Sequence, residues 1–562
     1  MNAFSLSPLT GRGTEKPTTA GAWPHLAQDS RPAMSNSDSL HPLTPAAVKA
    51  MLGDGGELAL IDLREELIFS RSHLLWARNV PLSRLELRFA RLVPRKTTRI
   101  VLIDDNDGLA ERAATILARA GYSDLGFLDD GVAGWEKAGF VLFSGMHVPS
   151  KAFGEFVEHD SGTPSISARE LDALMRSGAD LKVLDSRPFG EYTNISIPTG
   201  INVPGAELVL RVRDIVPAPA TTIVVNCAGR TRSIIGAQSL INAGVPNKVV
   251  ALRNGTMGWH LAGLVCDRGK AVRAPDVSES GLAWARTAAQ RVADKFGVTR
   301  IDCATLERWR ADATRTTYLF DVRDPGEYAR GHFPDALSAP GGQLVQATDL
   351  YAGVLGARIV LSDDKEARAL MTASWLKQMG WRDVYVLLEA GRGSEQETGE
   401  PATALLGTPA TDRAVDPSTT LAIDNVSIID LSSSPAYRRG HIPGAWFAIR
   451  ARLDRALAKI APTGEVILTS EDGLLASLAV AEAQALTDRP VHWLKGGNAA
   501  WAAAGFPLAT SERLADEPVD AWLKPYERPG AQEGAMNEYL SWEVDLLERI
   551  KQDGTTRFLP RR

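Results

Sequence analysis

The segment Thr222-Ile-Val-Val-Asn-Cys-Ala-Gly-Arg-Thr-Arg-Ser-Ile-Ile-Gly-Ala-Gln-Ser-Leu240 contains a short apolar run, a polar loop and a longer second run. The apolar run Ile223-Val-Val225 is typical of a buried strand, and the second run is predicted to be a helix. Cys227 stands between them, so the loop is expected to place a thiol over the backbone N–H groups of a helix start. Arg230 and Arg232 stand beside it, and such surroundings favour a thiolate and attract anions.

The length of 562 residues predicts several domains, because one domain usually takes about 100–200 residues. A hydrophobic content of 44% and a charged content of 23% are ordinary for a soluble protein. The net charge of -6 gives no sign of a nucleic-acid partner, and the sequence has no apolar run of about 18 residues that would predict a membrane partner. Three cysteines in so long a chain argue against a disulfide framework and favour a reducing cytoplasm.

The first forty residues are rich in Ser, Thr, Pro and Gly and lack the apolar core of a signal peptide. We therefore predict a disordered leader over residues 1–40. Met34 is an alternative start to Met1, because a short polar stretch from Met34 leads directly into the first predicted domain.

An apolar run that ends in aspartate occurs four times, and a repeat of this length indicates tandem domains. The four aspartates are Asp62, Asp185, Asp321 and Asp430, which lie 123, 136 and 109 residues apart. In each copy a second strand, a loop and a helix follow. Three copies then end in a glycine-rich turn before a tryptophan, at Trp135, Trp259 and Trp501. Strands that alternate with helices predict an α/β fold, with a parallel sheet covered on both faces.

Together these motifs resemble the rhodanese homology domain. The matching features are the Asp-x-Arg strand end, the Gly-His-Ile-Pro-Gly-Ala segment at residues 440–445, the cysteine loop and the Gly-x-x-x-Trp turn. The resemblance covers residues 43–508 and implies four tandem rhodanese-like domains, each a small parallel sheet flanked by helices. It also implies that one loop cysteine carries a persulfide, with no metal or organic cofactor.

The spacing of the repeat and the shifts in composition predict where each part of the chain begins and ends. The predicted parts are the leader (1–40), domain 1 (41–150), domain 2 (163–273), a helical linker (274–297), domain 3 (298–396), a second linker (397–417), domain 4 (418–510) and a C-terminal tail (511–562). Apolar residues recur in the tail from Met536 to Ile550 at close to helical spacing, which predicts an amphipathic helix. That helix either docks on its own chain or contacts a partner or second copy, so a homodimer is one expectation.

Only domain 2 has a cysteine in the loop. The corresponding residues are Asp104 or Asp105 in domain 1, Asp363 in domain 3, and Thr469 or Ser470 in domain 4. A carboxylate or hydroxyl does not carry a sulfane sulfur as a thiolate does, so domains 1, 3 and 4 are predicted to be inactive. Their expected role is structural, and the alternative is that they bind a partner protein.

The resemblance implies two nucleophilic displacements at Cys227. The thiolate takes the outer sulfur of a small donor such as thiosulfate, and a thiol or cyanide acceptor then removes this sulfur. Backbone N–H groups of the loop are expected to stabilise the persulfide anion, and two guanidinium groups to bind the sulfonate end of the donor. The predicted substrate-binding residues are Ala228, Gly229, Arg230, Thr231, Arg232 and Ser233.

Other residues have predicted roles around this loop. Asp185 and Arg187 are expected to form a supporting ion pair near it. Cys266 and Cys303 are candidate resolving thiols, but their surroundings are neither basic nor rich in glycine, and packing at a domain edge is the simpler prediction. Most free cysteines are small buried hydrophobes, but burying the arginines beside Cys227 without an anion would be costly.

The Cys-x4-Arg spacing is one residue shorter than the Cys-x5-Arg loop of related phosphatases and arsenate reductases, and therefore favours a sulfurtransferase. Domain 2 departs from the family at Ser196, where a histidine is usual, and its loop sequence leaves the physiological donor open. We expect a cytoplasmic enzyme of this type. The alternative function is a persulfide carrier that delivers sulfur to a dedicated protein partner.

Overall fold

The computed structural model describes residues 40–388, 396–401, 404–460, 464–530 and 532–559. The predicted leader, apart from its last residue, and the alternative start at Met34 lie outside these residues. Leu40 is the first residue of a strand. None of the described helices is both long enough and apolar enough to span a bilayer.

The described residues form four five-stranded sheets in which all neighbouring strands are parallel. The strands are β1 (Leu40–Leu43), β2 (Ala59–Asp62), β3 (Arg78–Asn79), β4 (Ile100–Ile103), β5 (Leu125–Leu128), β6 (Ser165–Ile166), β7 (Leu181–Asp185), β8 (Ile201–Asn202), β9 (Thr222–Asn226), β10 (Val249–Leu252), β11 (Thr299–Ile301), β12 (Thr317–Asp321), β13 (Leu337–Ser338), β14 (Arg358–Ser362), β15 (Val384–Leu387), β16 (Ala414–Val415), β17 (Val426–Asp430), β18 (Trp446–Phe447), β19 (Glu465–Thr469) and β20 (Val491–Leu494). The sheet orders are β1-β5-β4-β2-β3, β6-β10-β9-β7-β8, β11-β15-β14-β12-β13 and β16-β20-β19-β17-β18. The predicted α/β fold class is confirmed.

Helices cover the faces of the sheets and connect the domains. They are α1 (Pro45–Met51), α2 (Glu66–Phe69), α3 (Leu85–Leu92), α4 (Leu109–Arg119), α5 (Gly131–Lys137), α6 (Val148–Ser161), α7 (Ala168–Arg176), α8 (Phe189–Asn194), α9 (Glu207–Ile215), α10 (Thr231–Asn242), α11 (Gly255–Leu261), α12 (Glu279–Lys295), α13 (Cys303–Arg310), α14 (Pro325–Arg330), α15 (Gly341–Gln346), α16 (Ala367–Gln378), α17 (Pro417–Ala422), α18 (Ser434–Arg439), α19 (Leu453–Lys459), α20 (Leu474–Ala485), α21 (Gly497–Ala503) and α22 (Gln532–Asp553). Helix α6 follows domain 1, α12 connects domains 2 and 3, and α22 follows domain 4.

The strand register shows which residues are equivalent in the four domains. Pairing of the two central strands aligns Asp62 with Ile103, Asp185 with Asn226, Asp321 with Ser362, and Asp430 with Thr469. The next residues in the chain are therefore equivalent, and they are Asp104, Cys227, Asp363 and Ser470. This register selects Asp104 over Asp105 and Ser470 over Thr469. We call domains 1, 3 and 4 the silent domains because this position lacks a cysteine.

The first three domains share one hydrophobic core. A single cluster of buried apolar side chains includes Phe89 of domain 1, Leu240 of domain 2 and Trp375 of domain 3, whereas domain 4 has a cluster largely its own. The Trp375 indole N–H also donates to Ser239 Oγ on α10, at 2.8 Å. Burial of apolar surface between domains fixes the helix that follows the cysteine, which is one way for a silent domain to stabilise domain 2.

The C-terminal helix α22 docks on its own chain. It packs against α6. Leu546 and Ile550 join a buried cluster with Phe143 of domain 1, and Met536 packs against Met257 on α11. The same helix therefore contacts both domain 1 and the edge of domain 2 that carries the cysteine loop.

Candidate active site

Cys227 lies at the carboxyl end of β9, where the chain leaves the sheet. In open parallel sheets, ligands bind at this end of the strands. The residue is only 2% exposed, and its thiol lies 3.5 Å from Ser233 Oγ in the first turn of α10. The Ser233 hydroxyl donates to the Arg230 carbonyl at 2.8 Å, so it is oriented to accept from the thiol.

The backbone of the loop that follows, residues 227–230, turns its carbonyl groups away from the thiol. The N–H groups of Thr256 and Met257 donate to the carbonyls of Cys227 and Ala228, at 2.8 and 2.9 Å. Within the described chain, the N–H groups of residues 228–232 donate no hydrogen bond. Gly255, at φ 54°, makes this arrangement possible, because a Cβ there would lie 2.4 Å from the Cys227 carbonyl oxygen. The loop is therefore an open set of donors suited to an anion.

The Arg230 side chain points away from the open N–H groups of the loop and towards α6. Its Nε and Nη2 atoms donate to the Glu155 carboxylate at 2.7 and 2.6 Å, and Nη2 also contacts Glu158. Burial would lower the pKa of Arg230, but the two carboxylates raise it overall. Arg230 is thus a cation held by two acidic residues that lie more than seventy positions earlier in the chain.

Arg232 faces the opposite wall. Its Nη2 lies 2.8 Å from Glu191 Oε2, and its Nη1 donates to Gln343 Oε1 of domain 3 at 3.1 Å. Lys524 of the tail also reaches Glu191, at 3.2 Å. Although burial alone would raise the pKa of Glu191, Arg232 and Lys524 hold it well below its usual value. Arg232 and Lys524 therefore share the carboxylate of Glu191, and Lys524 also lies 4.0 Å from Glu527 Oε1.

A cavity of about 100 Å³ adjoins the thiol, and most of its walls come from outside domain 2. We call it the Cys227 cavity. Besides the loop residues, it is lined by Met146, His147, Lys151, Glu191, Met257, Gln346, Trp522, Lys524, Pro525, Tyr526, Tyr539 and Glu543. Lys151 is 7% exposed and donates to Gln346 Oε1 at 2.6 Å. Burial lowers the pKa of Lys151, while Glu543, Cys227 and Glu191 oppose that shift.

Sequence reasoning missed these enclosing residues. Lys151 belongs to a helix between domains, Gln346 to a silent domain, and Tyr526, Tyr539 and Glu543 to the tail. No spacing within domain 2 points to them. One feature of the sequence could have pointed to them. The tail contains more aromatic and acidic residues than the apolar face of an amphipathic helix requires.

Asp185 and Arg187 form a fully buried ion pair. Arg187 donates to both carboxylate oxygens, at 2.8 and 2.6 Å, and to the Ile195 carbonyl at 2.7 Å. Asn226, the residue before the cysteine, donates to Asp185 Oδ2 at 2.8 Å. The same pair recurs in two silent domains, as Asp62 with Arg64 and Asp321 with Arg323. Its presence without a loop cysteine indicates that the pair supports the strand end rather than contacting a ligand.

The other two cysteines lie elsewhere. Cys266 packs against the buried cluster around Trp259, and burial raises the pKa of its thiol. Cys303 begins α13 and packs against the core of domain 3. Among the described residues that line the Cys227 cavity, neither is present. Ser196 stands where domains 1, 3 and 4 have a histidine, and its hydroxyl is buried with no partner in the described chain.

Comparison with known proteins agrees with this fold. The model of the rhodanese-like domain matches residues 44–138, 167–262, 304–391 and 418–504. The chain belongs to the rhodanese-like family. The predicted family and the predicted rhodanese-type enzyme are both confirmed.

Solved structures match either nearly the whole chain or a part of it about the size of one domain. A thiosulfate sulfurtransferase from Pseudomonas aeruginosa is 47% identical over 92% of this chain and 99% of that chain, with a TM-score of 0.89. The Alr3790 protein from Anabaena is 25% identical over 17% of this chain and 82% of that chain, with a TM-score of 0.17. No curated protein matches the chain. The four-domain arrangement is therefore shared with the Pseudomonas protein over nearly its full length.

Proposed function

We propose that this rhodanese-like protein transfers a sulfane sulfur from a small anionic donor such as thiosulfate to a thiol or cyanide, through a persulfide on Cys227. One observation carries the proposal: the buried thiol adjoins a loop whose N–H groups are open to an anion. The similarity to a thiosulfate sulfurtransferase of Pseudomonas aeruginosa supports the choice of donor.

In the first half-reaction, the Cys227 thiolate attacks the outer sulfur of thiosulfate. A bond forms between Sγ and that sulfur, the bond to the sulfonate sulfur breaks, and sulfite leaves with the electron pair. Both loop arginines line the Cys227 cavity, and Arg232 is the guanidinium that contacts the sulfonate group, because it contacts one carboxylate whereas Arg230 contacts two. Arg230 keeps its contacts with Glu155 and Glu158, and it supports donor binding by holding the loop.

In the second half-reaction, an acceptor thiolate or cyanide attacks the outer sulfur of the persulfide and restores the Cys227 thiolate. The N–H groups of the loop and the Lys151 ammonium stabilise the negative charge that stays on sulfur in both halves. Cys227 is 2% exposed and the cavity is small, so a small acceptor fits without rearrangement. A protein acceptor, as the carrier alternative requires, would need the tail to move away from the loop.

The test begins with the intact protein and thiosulfate. Mass spectrometry is expected to show one added sulfur atom, located on Cys227 by peptide mapping and absent from Cys227→Ser. Turnover of thiosulfate with cyanide and with glutathione is expected in the wild type and not in the variant. Sulfur found on Cys266 or Cys303, or turnover that survives Cys227→Ser, would overturn the proposal.

If the protein takes up sulfur on Cys227 but transfers it to neither small acceptor, the result would instead favour the alternative of a persulfide carrier for a protein partner. Cys266→Ser is the matched control, because it removes a partly buried thiol of the same domain without touching the Cys227 cavity. It is expected to charge and turn over as the wild type does.

A further inference from the structure

Glu543 lies on the C-terminal helix and reaches the Cys227 loop from outside domain 2. It is 1% exposed. Its Oε1 accepts hydrogen bonds from Thr231 Oγ1 and from the Tyr539 hydroxyl, both at 3.2 Å. Its Oε2 has no hydrogen-bond partner in the described chain. A buried carboxylate oxygen without a partner is costly, and such atoms often mark sites where a ligand or a proton is exchanged.

The unpartnered oxygen is directed at the loop. A Cβ at Gly229 would lie 2.9 Å from Met257 Cε and 3.1 Å from Glu543 Oε2, so the absence of a side chain at residue 229 favours this close approach. Glu543 and Cys227 also line the same cavity. A molecule that fills the cavity next to the thiol therefore lies within reach of this oxygen. Nothing in domain 2 itself supplies an acid or base there, since Glu191 is held by Arg232 and Lys524.

We propose that Glu543 carries the proton of the sulfur-transfer reaction, a role that rests on the sulfurtransferase function proposed above. In the donor half-reaction, the Glu543 carboxyl group gives its proton to the departing sulfite, which leaves as bisulfite. In the acceptor half-reaction, the Glu543 carboxylate takes the proton of the incoming thiol, whose sulfur then attacks the persulfide.

The two halves balance. Thiosulfate and a thiol enter, bisulfite and a persulfide anion leave, and both the Cys227 thiolate and the Glu543 carboxyl group return to their starting states. No oxidant, reductant or metal enters the cycle, because the outer sulfur moves between two nucleophiles.

The surroundings of Glu543 suit a group that exchanges a proton. The titratable and charged groups that face it are Lys151 and Glu155 on α6, Arg230 on the loop, and Tyr539 on its own helix. Burial raises the pKa of Glu543, Glu155 adds to this shift, and Lys151 and Arg230 oppose it. Burial also raises the pKa of Tyr539, so its hydroxyl remains a hydrogen-bond donor to Oε1.

The closing experiment separates the two half-reactions. Full-length wild type, Glu543→Gln and Glu543→Asp are charged to completion with excess thiosulfate, and charging is checked by mass. Discharge is then followed in single turnovers with glutathione, which brings a proton, and with fully ionised cyanide at alkaline pH, which brings none. Glu548→Gln on the exposed face of the same helix is the matched control.

Glu543→Gln keeps the size of the side chain, so the loop is expected to keep its shape. Discharge to glutathione is expected to slow by about 100-fold or more, as is usual when a general base is removed. Discharge to cyanide is expected to change less than about threefold, because that step needs no base. Glu543→Asp is expected to recover part of the thiol rate. In Glu543→Gln the remaining rate is expected to rise with pH as glutathione ionises in solution, because only the thiolate then attacks the persulfide.

Two results would overturn the proposal. An equal loss with both acceptors would show that Glu543 only positions the loop. An unchanged rate with glutathione would exclude any role in proton transfer. Neither of these results touches the proposed function, which fails if sulfur does not reach Cys227 in the wild type or if turnover survives Cys227→Ser.

Discussion

The loop of domain 2 and the equivalent loops of domains 1 and 3 share one backbone design but hold different anions. In domain 1, Asp104 accepts hydrogen bonds from the N–H groups of Asn106 and Ala110, both at 3.0 Å. In domain 3, Asp363 accepts from the N–H groups of Lys365 and Arg368, at 3.1 and 2.8 Å. The loops of domains 1 and 3 thus contain a carboxylate where domain 2 has a thiol.

The comparison indicates which kind of group the N–H groups of the domain 2 loop can bind. The residue two positions after Asp104 and Asp363 donates to the carboxylate, and in domain 2 that position is Gly229. Its N–H has no partner within the described chain. A backbone that binds a carboxylate in domains 1 and 3 is suited to bind a thiolate or persulfide in domain 2. In domains 1 and 3 the loop N–H groups bind an aspartate side chain of the chain itself, whereas in domain 2 they are open to a bound anion.

The largest expected effect comes from Cys227→Asp, which gives domain 2 the residue of domain 1. The carboxylate is expected to accept hydrogen bonds from the open N–H groups, so the variant folds but loses sulfur transfer by at least about 1000-fold, because no nucleophile remains. Turnover with thiosulfate and cyanide measures the loss, and thermal unfolding measures the stability. A variant that unfolds well below the wild type would contradict the shared design of the loops.

The two arginines of the loop allow a second comparison. Arg232→Lys keeps the charge but loses the planar fork, so the KM for thiosulfate is expected to rise about 10-fold or more, since a hydrogen bond to a charged group contributes roughly 1.5–3 kcal/mol. Arg230→Lys is the matched variant, and its KM is expected to rise less than about threefold because Arg230 faces Glu155 and Glu158. Steady-state kinetics at varied thiosulfate concentration measures both. The opposite ranking would place the donor on the Arg230 side.

The reverse substitution, from aspartate to cysteine, can be made in domain 1. Asp104→Cys places a thiol at the equivalent position, but the loop around it carries Asp105 and Asp107 where domain 2 has Ala228 and Arg230. Like charges repel an anionic donor, so no sulfur uptake at residue 104 is expected in a Cys227→Ser background. Loss of the two hydrogen bonds to Asp104 is expected to lower the stability of domain 1 by about 1–2 kcal/mol. Peptide mass mapping and thermal unfolding measure the two effects, and uptake by the introduced thiol would show that the backbone alone is sufficient.

The fold was predictable because its signals are local and repeated. Each Asp62-type strand end, each loop and each closing glycine recurs in order, and the parallel α/β sheets followed from the alternation of strands and helices. The cysteine loop was predictable for the same reason. The partners of Arg230 and Arg232 were not, because Glu155 and Gln343 come from a helix between domains and from a silent domain. Contacts across domain boundaries depend on packing, and sequence spacing does not encode packing.

The last prediction concerns the histidine that domain 2 lacks, whose loss is expected to affect the stability of domain 1 and not sulfur transfer. His73 of domain 1 stacks on Phe69 with ring centroids 4.0 Å apart, and burial lowers its pKa from 6.5 to about 4. The folded state therefore holds His73 neutral, while the unfolded chain binds a proton below about pH 6.5. The contribution of His73 to stability is expected to fall as the pH drops through 6.5, by roughly 3 kcal/mol in total, and to level off below about pH 4.

His73→Ser gives domain 1 the residue that domain 2 has at Ser196, and it removes this titration. The variant is expected to be less stable than the wild type at neutral pH, because it loses the stacking and the hydrogen bond from the ring to the Leu74 carbonyl at 2.8 Å. Its unfolding temperature should then depend less steeply on pH between 6.5 and 4 than that of the wild type. Parallel curves for the two proteins would mean that folding does not change the pKa of His73, so that burial would not keep the ring neutral in domain 1.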